Sequence, residues 1–162
     1  MRALLVPLLL LAAGCEPERC RSEGGTVELG TGEAGFEPLA DGDTLGWVAG
    51  PQGGFHVYGS VRTQGLSIAT AFTAPEDTWA DLRMELLDPG GRAVAGFPFT
   101  PRVFRPSDGY DGELFGVLVP FFATIPPTGA GYRLEVEVAD ADGVCGSDSR
   151  TVAVAPAGSE LP

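Results

Sequence analysis

Apolar and polar residues alternate at a period of two along several stretches, and no stretch carries a convincing amphipathic helical stripe. Turn residues recur about every ten positions. These observations predict an all-β fold. The content of Gly (24) and Pro (14) in 162 residues supports it, because short strands joined by turns use both residues and helix interiors exclude them. About seven or eight strands at that spacing predict an antiparallel β-sandwich, immunoglobulin-like in architecture, in which each sheet buries one face against the other.

The elements follow in order. Arg2 gives a positive start, and Ala3–Ala13 is an apolar run interrupted by Pro7. At about eleven residues, against the roughly twenty that a spanning helix needs, it reads as the core of an export signal. It ends in Leu11-Ala12-Ala13-Gly14-Cys15, and small residues directly before a cysteine resemble the bacterial lipobox. The commonest lipobox has Leu three places before the cysteine; here Ala12 stands there and Leu11 one place further back. The resemblance implies a lipoprotein signal peptide over residues 1–14 and acylation of Cys15 with palmitate-type chains. Several such chains hold a protein stably at a bilayer where a single chain holds it marginally. The alternative is an ordinary secretory signal cut near Ala13 or Gly14, with Cys15 a plain thiol. Glu16 is not the aspartate associated with inner-membrane retention in enteric bacteria, so the expected location is the outer membrane of the cell envelope.

Residues 15–35 are polar and Gly-rich and are expected to be a tether, with at most one edge strand at Thr26–Leu29. The sandwich is expected over 36–155, followed by a loose tail over 156–162. Within it, Thr44–Ala49 is a short apolar strand closed by Gly50-Pro51-Gln52-Gly53-Gly54. Phe55–Gln64 has the clearest alternation, with Phe55, Val57, Gly59, Val61 and Thr63 on one face and His56, Tyr58, Ser60, Arg62 and Gln64 on the other. Leu66–Thr73 is expected to be a further strand, and Trp79–Leu87 points Leu82, Met84 and Leu86 inward against Asp81, Arg83 and Glu85. Asp88-Pro89-Gly90-Gly91 is a strong turn signal before Ala93–Thr100. Pro101–Gly112 reads as a loop, and Glu113–Thr124 as a long apolar strand in which Pro120 marks a bulge or an edge. Gly131–Ala139 alternates again, Asp140-Ala141-Asp142-Gly143 turns the chain, and Ser149–Val154 closes the domain.

Without the leader about 148 residues remain (162 less 14), enough for one domain with a real core. The ten basic residues are all arginine, which reflects coding composition, and the formal charge is −12. A chain so acidic is repelled by a phosphate backbone, which argues against nucleic acid or an anionic membrane surface as a partner. With Cys15 acylated, Cys20 and Cys145 remain, and in an oxidising compartment they are read first as a disulfide joining the start of the domain to its last hairpin, the alternatives being two free thiols or a bond from Cys20 to another molecule.

The stretch GPQGGFHVYGSVRTQGL over Gly50–Leu66, preceded by FEPLADGD and the lipobox, resembles a set of uncharacterised lipoproteins of myxobacteria and related deltaproteobacteria. The resemblance covers about a third of the chain. It implies export, an immunoglobulin-like domain and a Gram-negative envelope, and attaches no activity to them.

Candidate sites are sparse. His56 is the one histidine, and a metal site needs several converging ligands. A serine triad would depend on His56 as its base, and no G-x-S-x-G elbow is present. No catalytic residue is therefore assigned. Acidic residues lie beside glycine at Asp41-Gly42-Asp43, Asp108–Glu113 and Asp140–Gly143, but none completes a calcium loop. Asp-Gly is also ordinary turn chemistry. Asp108, Asp111 and Glu113 are the best metal candidates, with calcium as the ion, and no other cofactor is expected. The aromatic set Phe97, Phe99, Phe104, Tyr110, Phe115, Phe121 and Phe122 is assigned to the core by default. Phe104 and Tyr110 in the Pro-rich loop, with His56, are the candidates for binding.

The function expected from these features is that of an envelope-anchored lipoprotein whose domain is a non-catalytic binding or structural module. Its partners are the lipid bilayer, through Cys15, and an envelope protein or glycan. The alternatives are a hydrolase of envelope polymers, which would need His56 with carboxylates gathered by the fold, and a calcium-dependent adhesion module.

Overall fold

Period-two alternation gives each strand one apolar face, and burying those faces shapes the sheet. The computed structural model describes residues 19–51 and 53–159. It contains the strands β1 (Ser22–Glu23), β2 (Thr26–Thr31), β3 (Glu37–Pro38), β4 (Thr44–Ala49), β5 (Phe55–Gln64) and β6 (Ala80–Leu87). They are followed by β7 (Ala93–Arg102), β8 (Arg105–Ser107), β9 (Tyr110–Pro120), β10 (Gly129–Ala139) and β11 (Val144–Pro156). A single 3-10 turn, Glu76–Thr78, precedes β6. No helix of the described residues is long and apolar enough to cross a membrane. The signal peptide expected over 1–14 and the expected acylation site Cys15 lie outside the described residues.

The domain is all-β but not the expected immunoglobulin-like sandwich. One sheet runs β3-β2-β5-β4-β11-β10-β6-β7 and curls through 187° into an open half-barrel whose edges stand 19 Å apart. The strand that prevents two separate sheets is β4. Its residues Thr44–Trp47 pair in parallel with Ala153–Pro156 of β11, and Val48 and Ala49 pair antiparallel with His56 and Phe55 of β5. A sandwich needs two sheets with no hydrogen-bonded strand between them, and β4 is that strand. The other half of the same β5 edge is taken by β2, from Thr26↔Gln64 to Gly30↔Ser60. Across the opposite edge of β5 runs β9, carrying β8. An isolated bridge, Ala95↔Phe121, brings β7 towards the end of β9.

The concave side is filled by the alternating apolar residues. Leu29, Val57, Val61, Leu82, Met84, Leu86, Val119, Leu134 and Val138 are all fully buried. The expected tether is shorter than 15–35, because β1 and β2 belong to the sheet and Val27 and Leu29 belong to the core. Polar composition hid this. β2 is held on its second edge by a side chain, the Asp148 carboxylate, which accepts the Leu29 N–H at 2.9 Å.

The strand expected at Leu66–Thr73 does not form. After Gly65, at φ +77°, the chain leaves the sheet. The Leu66 and Ser67 N–H groups donate at 3.0 Å to the carboxylates of Asp111 and Asp140 in place of a neighbouring strand. Cys20 and Cys145 are joined by a disulfide, with Cα atoms 5.5 Å apart. The bond fastens the chain to the start of β11, where Gly24 N–H and Gly25 N–H also donate to the Cys145 carbonyl.

Candidate functional site

The convex faces of β5 and β9 carry the residues singled out from the sequence. Arg62 on β5 stands opposite Glu113 on β9, and its Nε donates to the Glu113 carboxylate at 3.1 Å. The same carboxylate accepts the Ser107 hydroxyl at 3.0 Å. The Arg62 guanidinium lies over Phe36 at 4.2 Å and over Tyr110 at 5.0 Å, and the Tyr110 hydroxyl donates to Glu28 at 2.9 Å. Desolvation works against the Arg62 charge. The Glu113 carboxylate and the Tyr110 hydroxyl more than offset it, so the guanidinium is held protonated more firmly than a free arginine. Tyr110 is therefore half-buried and engaged at both its ring and its hydroxyl.

The other expectations meet different surroundings. Phe104 is 1% exposed, so it is a core residue and not a binding residue. The segment around it folds back as β8 against β9, and its N–H donates to the Ala69 carbonyl at 3.1 Å. Asp108 and Gly109 form the two-residue turn between Ser107 and Tyr110, Asp111 accepts the Leu66 N–H, and Glu113 is committed to Arg62. These three carboxyl residues are not among the groups of ligands that converge on a common point within the described residues.

The group that does converge is Cys20, Glu137 and Cys145. Its sulfurs are bonded to each other, and a disulfide offers no thiolate to a metal. A single carboxylate is also too few oxygens for calcium. Glu137 further accepts Arg83 at 2.7 Å.

His56 is buried at 9% exposure, with its ring edge-on to Tyr58 at 5.1 Å. Its Nε2 has no hydrogen-bond partner among the described residues. Desolvation, and then the neighbouring Glu33 carboxylate, push the Tyr58 phenol above its ordinary range. The face of β5 expected to be wet is thus partly covered, and Ser60 is buried with its hydroxyl donating to the Gly32 carbonyl at 3.2 Å.

Three further features were not singled out from the sequence. A polar cleft of about 520 Å³ on the convex side is lined by Arg83, Glu85, Glu135, Glu137, Ser147 and Ser149. Its arginine is tied to Glu85 and Glu137. Apolar side chains stand in solvent at the end of β9 and just beyond it: Leu118 at 52% exposure, Phe122 at 64% and Ile125 at 81%. Phe72, in the segment between β5 and β6, is 83% exposed. Of the aromatic set assigned to the core, Phe104 and Phe121 are buried, Phe97, Phe99 and Phe115 are half-buried, and Phe122 points out. The signal for the exposed group is an uncharged run from Leu114 to Tyr132, too long for one buried strand. No protein-family model, no curated protein and no solved structure matches the chain.

Proposed function

We propose that this chain is an envelope lipoprotein, held by acylated Cys15, whose half-barrel is a non-catalytic binding module for a protein partner. The observation that carries the reading is the exposed apolar group Leu118, Phe122 and Ile125. An exposed apolar group of this kind, on a chain of net charge −12, marks an interaction surface. Its chemistry favours protein over glycan, because none of the three side chains offers a hydrogen bond to a sugar hydroxyl. Its position also fits an anchored module. It lies beside the start of β10, whereas Ala139 at the far end of β10 pairs with Cys145, to which the anchored segment is fastened.

The test is site-specific photo-cross-linking in living cells, with the photoreactive residue at Phe122 or Ile125 and a control at Ser149. The reading expects one partner protein to be captured reproducibly from both apolar positions and not from the control. Equal capture from all three, or none from any, would overturn it.

A further inference from the structure

We infer that the loop from Gly65 to Pro75 is a second, non-covalent contact with the membrane, and that Phe72 at its tip enters the bilayer interface beside the lipid anchor. The inference rests on the acylation of Cys15 proposed above. It concerns how the domain stands on the membrane, which anchoring alone leaves open.

The first support is the length of chain available. Four residues, Glu16 to Arg19, separate Cys15 from Cys20. At full extension the step from Cys15 to Cys20 spans at most about 18 Å. Cys20 is not free to trail, because the disulfide fixes it to Cys145 at the start of β11 and Arg21 N–H donates to the Gly143 carbonyl at 2.8 Å. The end of the half-barrel that carries the β10–β11 turn is therefore held close to the lipid surface, whatever the rest of the molecule does.

The second support is what that end carries. The loop is built onto the same turn: Ser67 N–H donates to Asp140, which also accepts the N–H groups of Asp142 and Val144. Leu66 is buried, and a Cβ on Gly25 would collide with it. The base of the loop is thus pinned beside Cys145. From Gln64 to Pro75 there is no charged residue, in a chain of which 20% is charged. The tip, Ala71-Phe72-Thr73, is exposed, with Phe72 at 83%. The Trp79 indole donates to the Ala74 carbonyl at 3.1 Å and holds the far side of the loop. An uncharged loop with an exposed phenylalanine, its base pinned beside a disulfide that lies at most about 18 Å of chain from the acylated residue, meets the interface at a high effective concentration. The apolar ring then leaves water for the headgroup boundary, as the apolar faces of interfacial segments do.

The experiment uses the full acylated chain, reconstituted into zwitterionic vesicles of phosphatidylethanolamine and phosphatidylcholine, because a chain of net charge −12 is repelled by an anionic surface. Phe72→Cys and, separately, Ile125→Cys carry an environment-sensitive fluorophore. Intact mass spectrometry reads the acyl chains on Cys15 in each preparation. The expected result is a blue-shifted emission at position 72 that is quenched by lipids spin-labelled near the headgroup, with neither effect at position 125. An acylated protein whose label at 72 reports water overturns the loop contact and leaves the anchor standing. A blue shift at 72 that spin-labelled lipid does not quench means that protein covers the loop, a partner or a second copy, and overturns it as well. Absence of acyl chains on Cys15 removes the anchor, and the inference falls with it.

Discussion

Removing the disulfide should cost more stability than any single core truncation of moderate size. The perturbation is the double substitution Cys20→Ser and Cys145→Ser. The bond joins residues 125 apart, and chain entropy for a loop of that size gives about 5 kcal/mol of unfolded-state destabilisation. Nothing in the folded state recovers this. The bonds from Gly24 and Gly25 to the Cys145 carbonyl, and from Arg21 and Ser22 to the Gly143 carbonyl, are native-state contacts that the variant keeps. Residual order in the unfolded chain lowers the figure, so a loss of about 3–5 kcal/mol is expected. Against a total of roughly 5–15 kcal/mol for an ordinary domain, that is a large share. At about 2–4 °C per kcal/mol for a chain of this size, the melting temperature should fall by roughly 6–20 °C. The assay is thermal and urea unfolding followed by circular dichroism, without reductant. Reduced wild-type protein should unfold with the double variant, and oxidised wild type well above both. A loss below about 1 kcal/mol would refute the reasoning, because it would mean that no long loop is closed in the unfolded state.

Three further outcomes are expected. Asp148→Ala leaves the Leu29 N–H without its acceptor beside a fully buried side chain, and should cost about 1–3 kcal/mol by urea unfolding, whereas Asp148→Asn, which keeps an oxygen there, should cost less; equal losses would remove the role given to that oxygen. Gly59→Ala drives a methyl into the Met84 sulfur on the facing strand and should cost about 1–3 kcal/mol, with a smaller cost in a Met84→Ala background; strict additivity of the two changes would count against that contact. The Asp88 carboxyl is held below the ordinary aspartate range, first by the Arg92 N–H and then by the Gly90 N–H, against the opposing effect of desolvation. Its contribution to the β6–β7 turn is therefore complete above about pH 4 and is lost as pH falls through the folded value, so a carboxyl carbon titration with its midpoint at or above that of free aspartate would contradict the turn geometry.

The strands that could be read from the chain are those whose information is local. β4 and β5 run over Thr44–Ala49 and Phe55–Gln64, the bounds that a short apolar run closed by glycine and proline suggests for the first and alternation for the second. The turn after Leu87 likewise carries its chemistry in its own residues, with Asp88 accepting the Gly90 and Arg92 N–H groups. The closure of the sheet was not legible, because it depends on a change of partner between Trp47 and Val48 that leaves no mark on the composition of β4. Leu66–Thr73 looks like a strand, but Asp111 and Asp140, far along the chain, take the N–H groups of its first residues. Phe104 reads as core by default with binding as the alternative, because prolines surround it, and β8 folds that segment back over the core. At the candidate site, Tyr110 and Glu113 lie in one network only because β5 and β9 pair, placing Arg62 between them. Phe121 and Phe122 are adjacent and alike in sequence. The first is 8% exposed and the second 64%, since the alternation of β9 continues two residues past Pro120.

The two exposed apolar features stand in a definite relation to the longest hairpin of the fold. β10 has eleven residues, from Gly129 beside the Phe122–Ile125 segment to Ala139 opposite Cys145. At about 3.4 Å per residue, a strand of that length separates its ends by roughly 35 Å. Between those ends the convex side is charged, with Arg83, Glu85, Glu135 and Glu137 around the polar cleft. A domain held by Cys15 and steadied by Phe72 would carry that charged wall upright from the membrane and hold Leu118, Phe122 and Ile125 outward. An anchor without the loop contact would let the domain lie down and offer the charged wall and the apolar end to the lipid indiscriminately. Capture of a partner from positions 122 and 125 should therefore weaken when Phe72 is replaced by serine. Undiminished capture would mean that the partner orients the domain by itself.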